Sequence, residues 1–186
     1  MKVARRLLRN LAGSLGILGA LGIVTVGLPA IDRAIPAVRP VAAGVPYPVG
    51  AGVTVVPPPG AMVDVTQTRP SGERGTVLFL IGPVRYAIVV TPFDGDLAAA
   101  AARLERKITE VRGYQITGTQ LGVSTVGGLH GIQGGYMAPG RGGRYAVFLT
   151  GGLSIEVTVA GSHPEFGGLA AAVEASTRSI TVVEAA

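Results

Sequence analysis

The hydrophobic residues of the chain follow three patterns, one after another from the N-terminus. The first pattern is an apolar run, Asn10–Ile31, of about 22 residues with no charged side chain. About 20 apolar residues suffice to cross a hydrocarbon core of about 30 Å, so the run predicts a transmembrane helix at 10–31. Lys2, Arg5, Arg6 and Arg9 precede it. These basic residues predict a cytoplasmic segment 1–9 and place everything after the span outside the membrane.

A cleaved secretory signal is the alternative to a retained anchor. A signal also begins with basic residues, but its hydrophobic part usually has only about 7–15 residues. A cleavage site of small residues is poor near Ala30, because Leu28 occupies the outer position. The length of the run and the poor site favour a single-pass membrane protein.

The second pattern is a stretch rich in Pro, Ala and Gly at residues 32–60, with seven prolines. Proline fixes φ and removes a hydrogen-bond donor, so the composition predicts a semi-rigid linker. Val49–Val56 within it is an alternative first strand. An extracytoplasmic domain is then predicted over residues 61–186.

The third pattern alternates apolar and polar residues with a period of two, interrupted twice by a helical period. Strands are predicted at 63–68, 76–81, 85–91, 114–126, 131–137, 144–150 and 153–160, with a short last strand at 180–183 that closes the sheet. The tight Gly- and Pro-containing connections predict hairpins and therefore antiparallel pairing.

Two amphipathic helices are predicted between these strands. The first, Asp96–Arg112, begins at Asp96 as N-cap and ends before Gly113. Its apolar stripe is Leu97, Ala101, Leu104, Ile108 and Val111, and its charged residues are expected on a solvated outer face. The second follows a capping box formed by Ser162 and Glu165. Its stripe is Phe166, Leu169, Val173, Thr177 and Ile180. The predicted fold class is α+β, a two-layer sandwich of a mainly antiparallel sheet covered by two helices.

This order of elements resembles a known group of domains. A hairpin, a helix, a Gly-rich meander containing Gly134-Gly135-Tyr136, the strand Ile155–Val159 and a helix ending in Ser179-Ile180 follow one another. The layout resembles the PsbP-like and LpqN-like sandwich domains of small exported or membrane-anchored actinobacterial proteins. The resemblance covers roughly Val63–Val183. It implies a non-enzymatic accessory or interaction domain.

The formal net charge of +5 is unevenly distributed along the chain. Four of the positive charges lie in segment 1–9, whereas from residue 42 onward ten basic residues are matched by ten acidic ones. A neutral domain lacks the counterion-release term that drives phosphate-backbone binding, so no nucleic acid partner is expected. The N-terminal charges are instead expected to contact anionic lipid of the bilayer.

The residue types needed for catalysis or metal binding are scarce. Cysteine is absent and there are two histidines, His130 and His163. No dinucleotide fingerprint, phosphate-binding loop or Gly-x-Ser-x-Gly elbow occurs. We therefore expect no enzyme, no metal and no cofactor. His130 lies in the Gly-rich segment 127–135, where glycines either allow close approach of a ligand or mark a twisted strand; the second interpretation is favoured.

Arg141 and Arg144 are the candidate partner-binding residues. They flank Gly142-Gly143 in a predicted loop, where two guanidinium groups can bind an anionic head group or a carboxylate of a partner. A solvated loop tip is the alternative. The sequence thus favours a non-catalytic, membrane-anchored accessory or interaction module of the cell envelope, with another envelope or membrane protein as partner.

Two other functions remain open. A carrier of a lipid or other hydrophobic ligand would need a cavity between sheet and helices, for which the small residues Ala98–Ala102 and Ala170–Ala172 leave room. An enzyme would have to use His130 together with a serine or a carboxylate.

Overall fold

The computed structural model describes residues 37–183, apart from the side chains of residues 163–166. The elements are β1 (Val38–Pro40), β2 (Tyr47–Gly50), β3 (Val53–Val55), β4 (Met62–Asp64), β5 (Arg69–Pro70), β6 (Gly75–Ile81), β7 (Val84–Pro92), α1 (Leu97–Thr109), β8 (Gln115–Ser124), β9 (His130–Ala138), β10 (Arg141–Thr150), β11 (Leu153–Gly161), α2 (His163–Arg178) and β12 (Thr181–Val182). The main sheet has the strand order β1-β4-β6-β7-β11-β10-β9-β8, with β5 also paired to β6. Its pairs are antiparallel, as predicted.

The turn between β10 and β11 shows how local sequence fixes a hairpin. Gly151 and Gly152 both have positive φ, 51° and 75°. A two-residue loop whose twist matches the flanking strands requires this conformation, and glycine adopts it without steric cost. Thr150 consequently pairs with Leu153, and the register continues in step to Gly142 and Gly161.

Helix α1 begins where the sequence predicts. The carboxylate of Asp96 accepts a hydrogen bond from the backbone N–H of Ala99 at 2.7 Å, and Leu104 and Ile108 are buried. The helix ends at Thr109, before the predicted end at Arg112. Val111, predicted on the apolar stripe, is therefore 51% exposed.

The two helices lie on opposite faces of the main sheet, so the domain has three layers rather than the predicted two. Along β10, Tyr145 and Val147 pack in one cluster with α1. Ala146 and Phe148 pack in the other cluster with Val173 of α2. Since successive side chains of a strand point to opposite faces, the helices must cover opposite faces. We call these the α1 face and the α2 face.

Strand β11 alternates apolar residues with Glu156 and Thr158. Such a strand is expected to have one solvent-exposed face. Helix α1, which carries charged residues, instead packs over this side of β11, and Glu156 is only 4% exposed.

The segment predicted as a linker, 32–60, contributes three strands to the fold from Val38 onward. Strand β1 pairs with β4 in the main sheet, and β2 and β3 form a second, three-stranded sheet with β12. Val49, Val53 and Val55 are at most 1% exposed. The alternating valines thus decide the structure here despite the prolines, and the last strand joins the small sheet instead of closing the main one.

Within residues 37–183, no helix combines the length and apolar character needed to cross a bilayer. The predicted span Asn10–Ile31 and the basic segment 1–9 lie outside the described residues.

Candidate functional site

The structure separates the two arginines predicted to act together. Both belong to β10 rather than to a loop, because the hairpin turn comprises only Pro139 and Gly140. Three positions apart on one strand, Arg141 and Arg144 lie on opposite faces. Arg144 lies on the α2 face with its guanidinium 3.9 Å from the carboxylate of Glu174. Arg141 lies on the α1 face.

Arg141 borders a groove where α1 leaves the sheet uncovered. We call it the Arg85–Arg141 groove, and its volume is about 250 Å³. It is lined by Gln67, Thr76, Leu78, Arg85, Ala87, Tyr114, Arg141, Thr158 and Ala160. This lining contains two guanidinium groups and no carboxylate, so the groove is suited to an anionic ligand.

Strand register brings the two arginines to the same groove. Arg85 of β7 is opposite Ala160 of β11, which is opposite Gly143 of β10, two residues from Arg141. With neighbouring strands about 4.8 Å apart, the two arginine Cα atoms are separated by roughly 12 Å. Ala160 and Thr158 of the intervening strand β11 line the groove, and both have small side chains. Sequence reasoning missed Arg85, because no local pattern links positions 85 and 141.

A short chain of hydrogen bonds orients Arg85. Its Nη2 donates to Oε1 of Gln67 at 3.4 Å, and Nε2 of Gln67 donates to Oδ2 of Asp64 at 3.0 Å. The hydroxyl of Thr66 donates to Oδ1 of Asp64 at 2.6 Å. This hydrogen bond, with others from the Thr66 and Gln67 backbone, lowers the pKa of Asp64. Asp64 is therefore ionised at neutral pH and holds Gln67 in place behind Arg85.

Buried charges also tie α1 to the sheet next to the groove. Glu156 accepts from Arg103 Nη2 at 2.7 Å and from Lys107 Nζ at 2.8 Å. The Arg103 guanidinium also lies 4.4 Å from the ring centre of Phe93. Arg103 and Lys107 were expected on the solvated outer face of the helix. Because they are four positions apart, they lie on the same side of the helix and can both contact one carboxylate on a strand.

The Gly-rich meander makes room for aromatic rings. A side chain at Gly134 would collide with the ring of Tyr145, and one at Gly143 would collide with the ring of Tyr136 and the carbonyl of Val159. Both tyrosines are buried between sheet and α1. Gly134 and Gly143 therefore make room for the packing of these aromatic rings.

His130 lies at the exposed start of β9. Its Nδ1 is 3.0 Å from Oγ of Ser124, the cross-strand neighbour on β8. Among residues 37–183, no carboxylate is hydrogen-bonded to this ring, and no three His, Cys, Asp or Glu side chains are grouped to bind a metal. The side chain of His163 lies outside the described residues.

The cavity between the sheet and α2 is small. It has a volume of about 30 Å³ and is bordered by Val157, Val173 and Thr177 among others. Sites for drug-sized ligands typically have about 300–1,000 Å³. On the other face, Ala100 is fully buried in the cluster that includes Tyr136 and Tyr145. The small residues of α1 thus permit close packing, and neither observation favours a hydrophobic ligand between helix and sheet.

Comparison with known proteins shows a shared fold. The solution structure of cyanobacterial PsbP (CyanoP) from Synechocystis sp. PCC 6803 is 13% identical, with 80% of this chain and 94% of that chain covered and a TM-score of 0.53. The chain shares the PsbP fold. The predicted resemblance is thereby confirmed at the level of fold.

Two further solved structures are more distant. The Ran-binding protein Mog1p of Saccharomyces cerevisiae is 11% identical, covers 75% of this chain and 96% of its own, and has a TM-score of 0.47. LpqN of Mycobacterium tuberculosis, described as involved in cell envelope biogenesis, is 17% identical and has a TM-score of 0.38. The match covers 78% of this chain and 90% of LpqN. No family model and no curated protein matches the sequence.

Proposed function

We propose that this chain is a membrane-anchored, extracytoplasmic binding module of the cell envelope, without catalytic activity, and that the Arg85–Arg141 groove is its binding surface. The observation that carries the proposal is the groove itself. Two arginines from different strands border a floor of small residues, and no acidic residue lines it. A site of this charge and shape is suited to hold an anionic group.

The membrane anchor is part of the same proposal and rests on the sequence. The uncharged run Asn10–Ile31 follows a basic segment, which orients the domain outward. A domain that is anchored outside the membrane meets lipid and neighbouring membrane proteins, and these are the partners that we propose for the groove.

The contact between His130 and Ser124 does not require a catalytic explanation. Both side chains are exposed and directly opposite on adjacent antiparallel strands, where polar pairs are a normal form of cross-strand stabilisation. Catalysis by a serine needs a base that is itself oriented, together with donors that stabilise an oxyanion. We propose a structural role for this pair.

Site-specific photocrosslinking in intact cells tests the proposal. A photoreactive amino acid replaces Thr76, on the floor of the groove, in the tagged full-length chain. Val126, 88% exposed beyond the end of β8, provides the control position. We expect a membrane or envelope component to crosslink from position 76 and not from 126, and the chain to stay in the membrane pellet after carbonate extraction. Equal crosslinking from both positions, or release of the chain by carbonate, would contradict the proposal.

A further inference from the structure

We propose that the Arg85–Arg141 groove binds the phosphate of an anionic phospholipid head group in the outer leaflet. This inference rests on the proposed function, because it requires that the domain be held at the membrane. It goes further by naming the ligand class and the atoms that bind it.

The lining of the groove carries the groups that bind phosphate. Guanidinium groups bind phosphate through two parallel N–H···O bonds, and Arg85 and Arg141 approach the floor from two sides. Thr76, Thr158 and Tyr114 also line the groove and carry hydroxyl groups that can donate to the remaining phosphate oxygens. Arg141 is exposed, and within residues 37–183 it has no ion-pair partner.

The size of the groove fits a head group. A volume of about 250 Å³ is below the usual range of about 300–1,000 Å³ for sites that enclose a drug-sized ligand. It suits a head group whose acyl chains remain in the bilayer. The two guanidinium groups of the groove also attract an anionic head group electrostatically over about a Debye length.

The matched comparison surface is on the α2 face. Arg144 and Arg178 also lie close together there, but both guanidinium groups approach the carboxylate of Glu174, at 3.9 and 2.6 Å. A carboxylate between two cations offsets their attraction for a second anion. Replacing this pair removes the same formal charge from the opposite face of the sheet.

The test uses the full-length chain in detergent and measures its melting temperature with short-chain dihexanoyl lipids below their micelle concentration. Phosphatidylglycerol should raise the melting temperature in a saturable manner, because a ligand that binds only the folded state stabilises it. Phosphatidylcholine has the same phosphodiester but also a quaternary ammonium group, which the two guanidinium groups repel, so its effect should be much smaller. The variant R85Q/R141Q should weaken the phosphatidylglycerol response about tenfold in apparent affinity. The variant R144Q/R178Q should retain it.

Three outcomes would overturn the inference: no response to phosphatidylglycerol, a response that survives R85Q/R141Q, or equal loss in both double variants. A response to inorganic phosphate or to an acidic peptide that exceeds the response to phosphatidylglycerol would also overturn it and would assign the groove to that ligand. Carbonate extraction of the same variants from cells separates the two proposals. An anchored chain without lipid response disproves only this inference, whereas a carbonate-released chain that still binds phosphatidylglycerol disproves the anchor.

Discussion

The substitution Glu156→Gln tests whether buried charge holds α1 on the sheet. It keeps the length and shape of the side chain and removes only its negative charge. In the native chain Glu156 is 4% exposed and accepts hydrogen bonds from Arg103 and Lys107, at distances of 2.7 to 3.2 Å. The amide oxygen of Gln can accept a hydrogen bond from one of these cations, but a neutral amide offsets the charge of neither.

The expected cost follows from how exposed each partner is. A hydrogen bond to a charged group contributes about 1.5–3 kcal/mol when buried. The side chains of Arg103 and Lys107 are 30% and 49% exposed, so water can partly replace the lost carboxylate. This screening reduces each contribution to about 1 kcal/mol. We therefore expect Glu156→Gln to lower the free energy of unfolding by about 2 kcal/mol, less than the 3–5 kcal/mol of a fully buried broken pair.

Urea unfolding followed by circular dichroism measures this quantity on a chain that begins at residue 37. A loss of about 2 kcal/mol moves the urea midpoint down by about 1 M for a denaturant slope near 2 kcal/mol/M. Arg106→Gln is the control, since Arg106 is an exposed residue of the same helix and should change stability by less than about 0.5 kcal/mol. A cost for Glu156→Gln no larger than that of the control would refute the reasoning. Added salt should reduce the difference only slightly if the carboxylate is as buried as described.

Three further predictions concern packing and pH. Gly143→Ala should destabilise the domain by about 2–3 kcal/mol in urea unfolding, because the new methyl group meets the Tyr136 ring and a backbone carbonyl. In the control Gly122→Ala the methyl group meets nothing within 4 Å, so the cost should be less than about 0.5 kcal/mol. Burial raises the pKa of Tyr86 to about 12. The free energy of unfolding should therefore fall by up to about 1.4 kcal/mol per pH unit between pH 10 and 12, as the unfolded chain loses this proton first. In Tyr86→Phe the free energy of unfolding should fall less steeply across that range, and an equally steep fall in both proteins would contradict the prediction. The Thr66 hydroxyl is the main cause of the lowered pKa of Asp64. The ionised carboxylate therefore stabilises the fold above about pH 4, and this stabilisation is lost as the pH falls through the lowered pKa. The difference in free energy of unfolding between wild type and Asp64→Asn should shrink on acidification, and a constant difference would contradict this prediction.

Much of the local structure was predictable because its causes are local. The glycines at 151 and 152 specify a tight hairpin, and Asp96 specifies where α1 begins. The long strands were predictable from segments in which apolar and polar residues alternate, because a strand with one buried face has an apolar residue at every second position. The end of α1 was predicted too late, since an apolar residue at helical spacing, Val111, does not by itself show that the helix continues.

The candidate site was only half predictable. Arg141 was identified from its Gly-rich surroundings, and the structure places it at the groove. Its predicted companion, Arg144, lies on the other face, because the hairpin turn is shorter than the sequence suggested and both residues belong to β10. The actual companion, Arg85, is 56 positions away in the chain, and only the pairing of β7 with β11 and of β11 with β10 brings it near.

The period, the turns and the approximate boundaries of most elements follow from local sequence, because backbone preferences and the spacing of apolar residues act over a few positions. Long-range packing places the helices on opposite faces, brings the Pro-rich segment from Val38 into the fold, and puts two arginines at one groove. Alternation shows that a strand has two faces but does not show what covers either face. That choice depends on which distant strands pair and on which surfaces bury the most apolar area together, and neither is encoded at any single position.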